Sequence, residues 1–192
     1  VFKNSITYLG VSAFEGCKKL DTVTFEKDCE QIAKHAFRGC SALKNLTLPN
    51  CSLTIGEEAF FESGLKKLTF VANTSVDNIG TNAFKGIRQL AVDVSASNVY
   101  KIDGNTVYSK DGSVLVLRLP TDTAISFEVP ASVKKIGDGA FVSNPYIENI
   151  TFAAGSALES IGNGAFLGCI NLKSVTLPEN AIVIENSAFE DA

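Results

Sequence analysis

The dipeptide Ala-Phe ends at Phe14, Phe37, Phe60, Phe84, Phe141, Phe166 and Phe189, with spacings of 23, 23, 24, 57, 25 and 23 residues. A unit of this length is too short to close a core alone. Its regular return predicts stacked coils that bury their faces on one another. Five residues before each of these Phe stands an aliphatic residue: Leu9, Ile32, Ile55, Ile79, Ile136, Ile161 and Ile184. Four before it, Gly is usual (Gly10, Gly56, Gly80, Gly137 and Gly162), with Ala33 and Glu185 as exceptions. Small residues there fit a close approach between coils.

After each Phe the chain reads as a strand. Leu43, Leu46, Leu48, Cys51 and Leu53 follow the spacing L-x-x-L-x-L-x-x-N/C-x-L, as do Leu172, Val175, Leu177, Asn180 and Ile182. Leu20, Val23 and Phe25, Leu65, Leu68 and Phe70, and Ile147, Ile150 and Phe152 keep the same spacing. Period-2 alternation turns Leu46 and Leu48 inward and Thr47 outward. Pro49, Pro130 and Pro178 each follow a strand's last inward residue, where a missing N–H costs least.

The wide gap between Phe84 and Phe141 holds a degenerate coil and an insertion. Phe127 and Val129 keep the strand register relative to Phe141. Residues 95–124 carry the strand-like stretches Tyr100–Ile102, Thr106–Tyr108 and Val114–Leu117, with turn signals at Asp103-Gly104 and Asp111-Gly112. This predicts a small β-hairpin decorating the stack.

Composition removes several functions. Hydrophobic residues make up 45% and charged residues 20% of the 192, a core-forming balance. No run of eighteen apolar residues exists, so this chain inserts no helix into a membrane. A net charge of −4 argues against nucleic acid as partner. The single His, His35, lies at a variable turn position and reads as a solvated residue, which leaves no Ser-His-Asp or Cys-His relay. No C-x-x-C pair is present, so zinc is not expected, and no cofactor is called for. The chain opens Val1-Phe2-Lys3 and contains no Met, so it reads as a piece of a longer protein.

Cys17, Cys40 and Cys169 stand three residues after their Phe, where other coils carry Ser63, Ile87 and Asn144. This marks a small buried packing position. Cys29 and Cys51 sit near the N/C position of the leucine-rich pattern, in line with Asn73 and Asn180. There a polar or thiol side chain satisfies turn backbone groups from inside. Stacking also places Cys29 with Cys51, and Cys17 with Cys40, within disulfide reach if their side chains face each other.

The unit I-G-x-x-A-F-x-x-C-x-x-L-x-x-V-x-L-P, quoted nearly in full by Ile161 through Pro178, resembles the BspA-type (Treponema-type) leucine-rich repeat. The resemblance spans essentially the whole chain. It implies a right-handed, curved leucine-rich-repeat solenoid, mostly β with short helical turns and a parallel β-sheet on one face. We expect a single domain over 1–192 of about eight coils of ~23 residues, interrupted by the hairpin at 95–124. It implies a bacterial, extracellular or cell-surface protein without enzymatic activity. Such a protein would bind protein, including host extracellular-matrix or plasma proteins, and its uncapped ends could self-associate. A structural spacer, or carbohydrate and cell-wall binding, are the alternatives.

The expected contact surface is the outward column Thr24, Thr47, Thr69, Asp93, Glu128, Thr151 and Thr176. Threonine is also a good strand former that pairs well across a ladder, which would explain the column without a partner. Asp93 and Glu128 are its only acids, and adjacent coils would bring them to hydrolase-like separation. The column lacks Tyr, Trp and Arg, whereas the insertion holds Tyr100, Tyr108 and Arg118, the residue types that anchor interfaces.

Overall fold

The computed structural model describes residues 6–25, 28–180 and 182–192. It is a parallel-sheet β-solenoid of about eight turns. The chain divides into two compact units, Val1–Lys101 and Ile102–Ala192. In the first unit the strands are β1 (Tyr8–Leu9), β2 (Thr22–Val23), β3 (Gln31–Ile32), β4 (Asn45–Thr47), β5 (Ser52–Ile55), β6 (Lys67–Thr69), β7 (Ser75–Ile79) and β8 (Ala91–Asp93). They form two four-stranded parallel sheets, ordered β1-β3-β5-β7 and β2-β4-β6-β8.

The second set is β9 (Tyr100–Asp103), β10 (Thr106–Ser109), β11 (Val114–Arg118), β12 (Ser126–Val129), β13 (Lys135–Ile136), β14 (Asn149–Phe152), β15 (Ser160–Ile161), β16 (Ser174–Val175) and β17 (Val183–Ile184). One sheet runs β12-β14-β16; the other runs β17-β15-β13-β11-β10, with β9 beyond it. Strands therefore lie on both sides of each coil, rather than on one face only. The Leu-x-Leu ladder is also divided, ending at β8 in the first unit and starting again at β12 in the second.

Register explains the period. Leu46 faces Leu68 across β4 and β6, and Leu68 faces Val92 across β6 and β8. Leu46 and Leu68 are fully buried, while Thr47 between the strand's inward residues is exposed. The Phe of successive coils form ring stacks inside each unit. Phe14, Phe37, Phe60 and Phe84 follow one another at centroid distances of 5.5, 5.5 and 5.6 Å. Phe141, Phe166 and Phe189 do so at 4.7 and 5.1 Å.

The turn that carries Ala-Phe is not helical, and no helix occurs among the described residues. Two residues before each Phe, at Ser12, His35, Glu58, Asn82, Gly139, Gly164 and Ser187, φ is positive. Two residues after it, at Gly16, Gly39, Glu62, Gly86, Ser143, Gly168 and Asp191, φ is positive again. This alternation divides the backbone donors between two tasks. The N–H groups of His35, Phe37 and Gly39 donate to Glu57, Ala59 and Phe61 of the next coil at 3.0, 2.8 and 2.8 Å. Those of Ala36, Arg38 and Cys40 turn back to carbonyls three residues earlier. A corner buried between coils thus leaves no donor unpaired.

Close approach explains the glycine before the turn. A Cβ on Gly80 would stand 2.4 Å from the Glu57 nitrogen of the preceding coil. The predicted insertion does not simply decorate the stack. β10 and β11 pair antiparallel, but β11 then pairs parallel with β13, Leu115 facing Ile136. Val107, Leu115, Leu117 and Leu119 are all buried.

Candidate functional site

The outward faces of the two ladders are the candidate contact surfaces. In the first unit, β4 and β6 bring Thr47 beside Thr69, and β6 and β8 bring Thr69 beside Asp93. Thr24 follows β2 and is half-buried. In the second unit, Glu128 faces Thr151 across β12 and β14, and both are exposed; Thr176 follows β16 and is exposed. Polar neighbours tie these rows together. Lys67 Nζ lies 2.8 Å from Asp93, and Asn149 bridges Ser126 and Ser174 at 3.3 and 2.8 Å. The Lys67 ammonium, then the Ser95 hydroxyl and N–H, hold the Asp93 carboxyl well below the usual aspartate range.

That setting ties Asp93, one of the two acids of the hydrolase reading, into a polar network of its own unit. Asp93 is committed to Lys67 and to Ser95, whose N–H and hydroxyl donate to Oδ1 at 3.0 and 2.7 Å. The two acids stand on β8 and β12, which belong to different sheets.

The insertion residues Tyr100, Tyr108 and Arg118 are packed into the protein. Tyr100 and Tyr108 are both only 6% exposed, so neither ring is free to anchor a partner. Tyr100 packs edge-on against Phe70 at 5.5 Å, and its hydroxyl accepts the Val76 N–H at 2.8 Å. Burial pushes both phenols up. Arg118 lies over the Phe127 ring at 4.3 Å, donates from Nη1 to Thr106 Oγ1 at 2.6 Å, and pairs with Asp122. Tyr and Arg are efficient core and clamp residues as well as interface anchors, and nothing in local sequence separates these uses.

The thiols fall into two groups. Cys40 and Cys169 are buried as expected, and each donates its S–H to the Phe carbonyl of the preceding coil, at 3.0 and 3.1 Å. Cys17 differs and is exposed. Cys51 Sγ donates to the Cys29 carbonyl at 3.2 Å, the inside satisfaction expected at that position, and Asn180 does the same toward the Leu158 carbonyl. In the intervening coil Asn73 is exposed. The buried Thr74 takes over instead, donating to the Pro49 carbonyl at 2.7 Å. All five cysteines are free.

His35 is not a solvated turn residue. Its side chain is 20% exposed, with Nε2 3.3 Å from Glu58 and Nδ1 3.9 Å from Glu15. One donor atom from each of His35, Glu57 and Glu58 lies within 4.8 Å of the others. Both carboxylates already have cations: Arg38 on Glu58 at 3.2 Å and Lys34 on Glu57 at 2.8 Å. The arrangement is an ion network linking adjacent turns rather than an open ligand set.

Two-stranded coils, an aliphatic and Phe-filled core and an exposed polar ladder define a leucine-rich-repeat solenoid. The sequence profile of the BspA type leucine-rich repeat region matches in six copies, over residues 1–112 and 121–192, and the chain belongs to that family. Among solved structures, the chain is similar to a leucine-rich repeat protein from Eubacterium ventriosum. The two share 21% identity at a TM-score of 0.54, over 96% of this chain and 61% of that one. A leucine rich cell surface protein from Faecalibacterium prausnitzii shares 23% identity at a TM-score of 0.49, over 96% and 60%. The pneumococcal vaccine antigen PcpA shares 24% identity at a TM-score of 0.47, over 78% and 43%. The chain thus spans between 43% and 61% of the length of these proteins. The Eubacterium likeness supports the fold alone. No curated protein matches the chain. No helix among the described residues is long and apolar enough to cross a membrane.

Proposed function

We propose that the chain is a non-enzymatic protein-binding module of an extracellular or cell-surface protein, an adhesin or host-interaction domain. The observation that carries this reading is the alternation in the ladders. Leu46, Leu68 and Ile150 are fully buried, and Thr47 in the first unit and Thr151 in the second each stand on the exposed polar side of their own sheet, on a backbone fixed by register. Such a surface is rigid before contact, so binding costs little ordering entropy. Membership of the BspA-type family supports a protein as the partner, of the host extracellular-matrix or plasma type.

The burial of Tyr100, Tyr108 and Arg118 favours a second reading, a spacer that holds other segments away from the cell. Without those anchors the exposed face has no hot-spot residue of the usual kind. Surface plasmon resonance of the purified chain against immobilised matrix and plasma proteins separates the two. Saturable binding that Thr47→Lys or Thr151→Lys abolishes supports the adhesin. Absence of binding by a folded chain leaves the spacer.

A further inference from the structure

The first unit contains a cleft with a basic lining. Its volume is about 430 Å³, and its walls include Lys44, Lys66, Arg88, Gln89, Ser63 and Gly64. No carboxylate is among the lining residues, and the first unit, Val1–Lys101, carries 12 Lys and Arg against 10 Asp and Glu.

The stack itself assembles these cations. Lys44 and Lys66 immediately precede β4 and β6 at the same register position, and the Lys66 N–H donates to the Lys44 carbonyl at 2.8 Å. Arg88 enters from the turn before β8. The second unit offers an internal comparison. There the position before β14 and β16 holds Glu148 and Lys173, joined through the same backbone bond at 2.7 Å. Their side chains form an ion pair of 2.9 Å. One column neutralises itself in the second unit and is doubly cationic in the first. Unlike Glu148 and Lys173, Lys44 and Lys66 cannot neutralise each other.

Among the described residues, no carboxylate forms an ion pair with Lys44, Lys66 or Arg88. Lys44 Nζ donates to the Ser41 carbonyl at 2.6 Å, and Lys67 is engaged with Asp93. Asp21, one coil earlier in the column, and Glu62, whose Cγ packs against Gly86, are acids of the adjoining turns. Neither lines the cleft, and among the described residues neither forms an ion pair with Lys44, Lys66 or Arg88.

We infer that this cleft is a binding site for a sulfated oligosaccharide. A sulfate ester placed among the two ammonium groups and the Arg88 guanidinium accepts charge-assisted hydrogen bonds from them. Gln89 supplies a neutral partner for sugar hydroxyls. The lining argues against other polyanions. It contains no aromatic ring on which a base could stack. Its one large apolar member, Leu65, is 1% exposed, so there is no pocket for the apolar anchor of an acidic peptide. The cleft lies on the turns that lead into the strands, and the inference does not depend on the sheet-face reading.

Calorimetric titration of the 192-residue chain with a heparin-derived octasaccharide tests it, with the desulfated octasaccharide and poly(glycerol phosphate) as parallel probes. The expected result is saturable binding of the sulfated probe at low salt, weakened at high salt by screening. Lys44→Gln/Lys66→Gln/Arg88→Gln should lose about tenfold or more in affinity, while Lys134→Gln/Lys173→Gln retains it. Circular dichroism checks the fold of each variant, and Arg88→Gln alone serves if the triple variant does not fold. The inference is overturned by absence of binding at low salt, by equal binding of the desulfated probe, or by tighter binding of poly(glycerol phosphate). It is equally overturned if the folded cleft variants bind as the parent does.

Discussion

Phe37 lies almost parallel to Phe60, 5.5 Å away between ring centroids and 9° apart in plane, although 23 residues separate them. Both are 0% exposed. Each ring is therefore packed on two sides by rings of neighbouring coils, and its removal opens a cavity that a fixed backbone cannot collapse. Phe60→Ala should destabilise the first unit by about 3–5 kcal/mol. Urea unfolding followed by circular dichroism measures this, and a change below about 1 kcal/mol would contradict the stacking account.

Glycines in the repeat serve two different needs, and substitution should separate them. Gly39 has φ +68°, and a Cβ there meets nothing closer than 3.8 Å, so Gly39→Ala carries a conformational cost of about 1–2 kcal/mol. Gly80 has no such dihedral, but its Cβ would meet backbone at 2.4 Å. Gly80→Ala must push two coils apart and should cost more, about 3 kcal/mol. The order of the two unfolding midpoints is the test.

The thiols should react in order of exposure and charge state. Burial pushes the Cys169 thiol up to about 12, and burial likewise raises Cys29 and Cys40. At pH 8 almost none of Cys169 is thiolate, the reactive form. Cys17, exposed, should be alkylated first, and Cys169 only on unfolding. Peptide mass mapping after timed iodoacetamide treatment reads the order. Early labelling of Cys169 would contradict its placement.

The β10–β11 turn should depend on acid. The Ser109 hydroxyl, then the Ser113 N–H and hydroxyl, hold the Asp111 carboxyl at about 2, below the ordinary 3.8. A depressed carboxyl stabilises the fold fully above its unfolded value, and that contribution disappears as pH falls through its folded value. The Ser113 amide resonance should therefore inflect near pH 2, and Asp111→Asn should remove the inflection. A midpoint near 3.8 would mean that these hydrogen bonds do not form in solution.

Much of this architecture is visible in the sequence. Ala-Phe at a fixed interval, with Leu, Val or Ile alternating beyond it, allows few ways to bury the rings, and coil stacking is the one that fits. The outward Thr column follows from the same alternation. The thirty-residue stretch before Phe127 is legible as strands and turns, but not as ladder members. Val114–Leu117 alternates in the same way in either role, and only its pairing with Lys135 and Ile136 decides between them.

Sequence alone determined the repeat, its period and the family, because hydrophobic periodicity is a property of one coil read along the chain; it also marks most inward residues, but Leu177 and Ile184, which it places in the same columns, are exposed. Tertiary structure decided what depends on two coils at once. Ser12, His35, Glu58 and Gly164 share no side-chain chemistry; they share a left-handed backbone that the donors to the next coil require. Tyr100, Tyr108 and Arg118 look like anchors until packing encloses them. Lys44 and Lys66 are 22 residues apart in sequence and become a charged pair only when register sets one coil on the next. Burial and electrostatics are sums over spatial neighbours, and in a solenoid those neighbours come from the coils on either side.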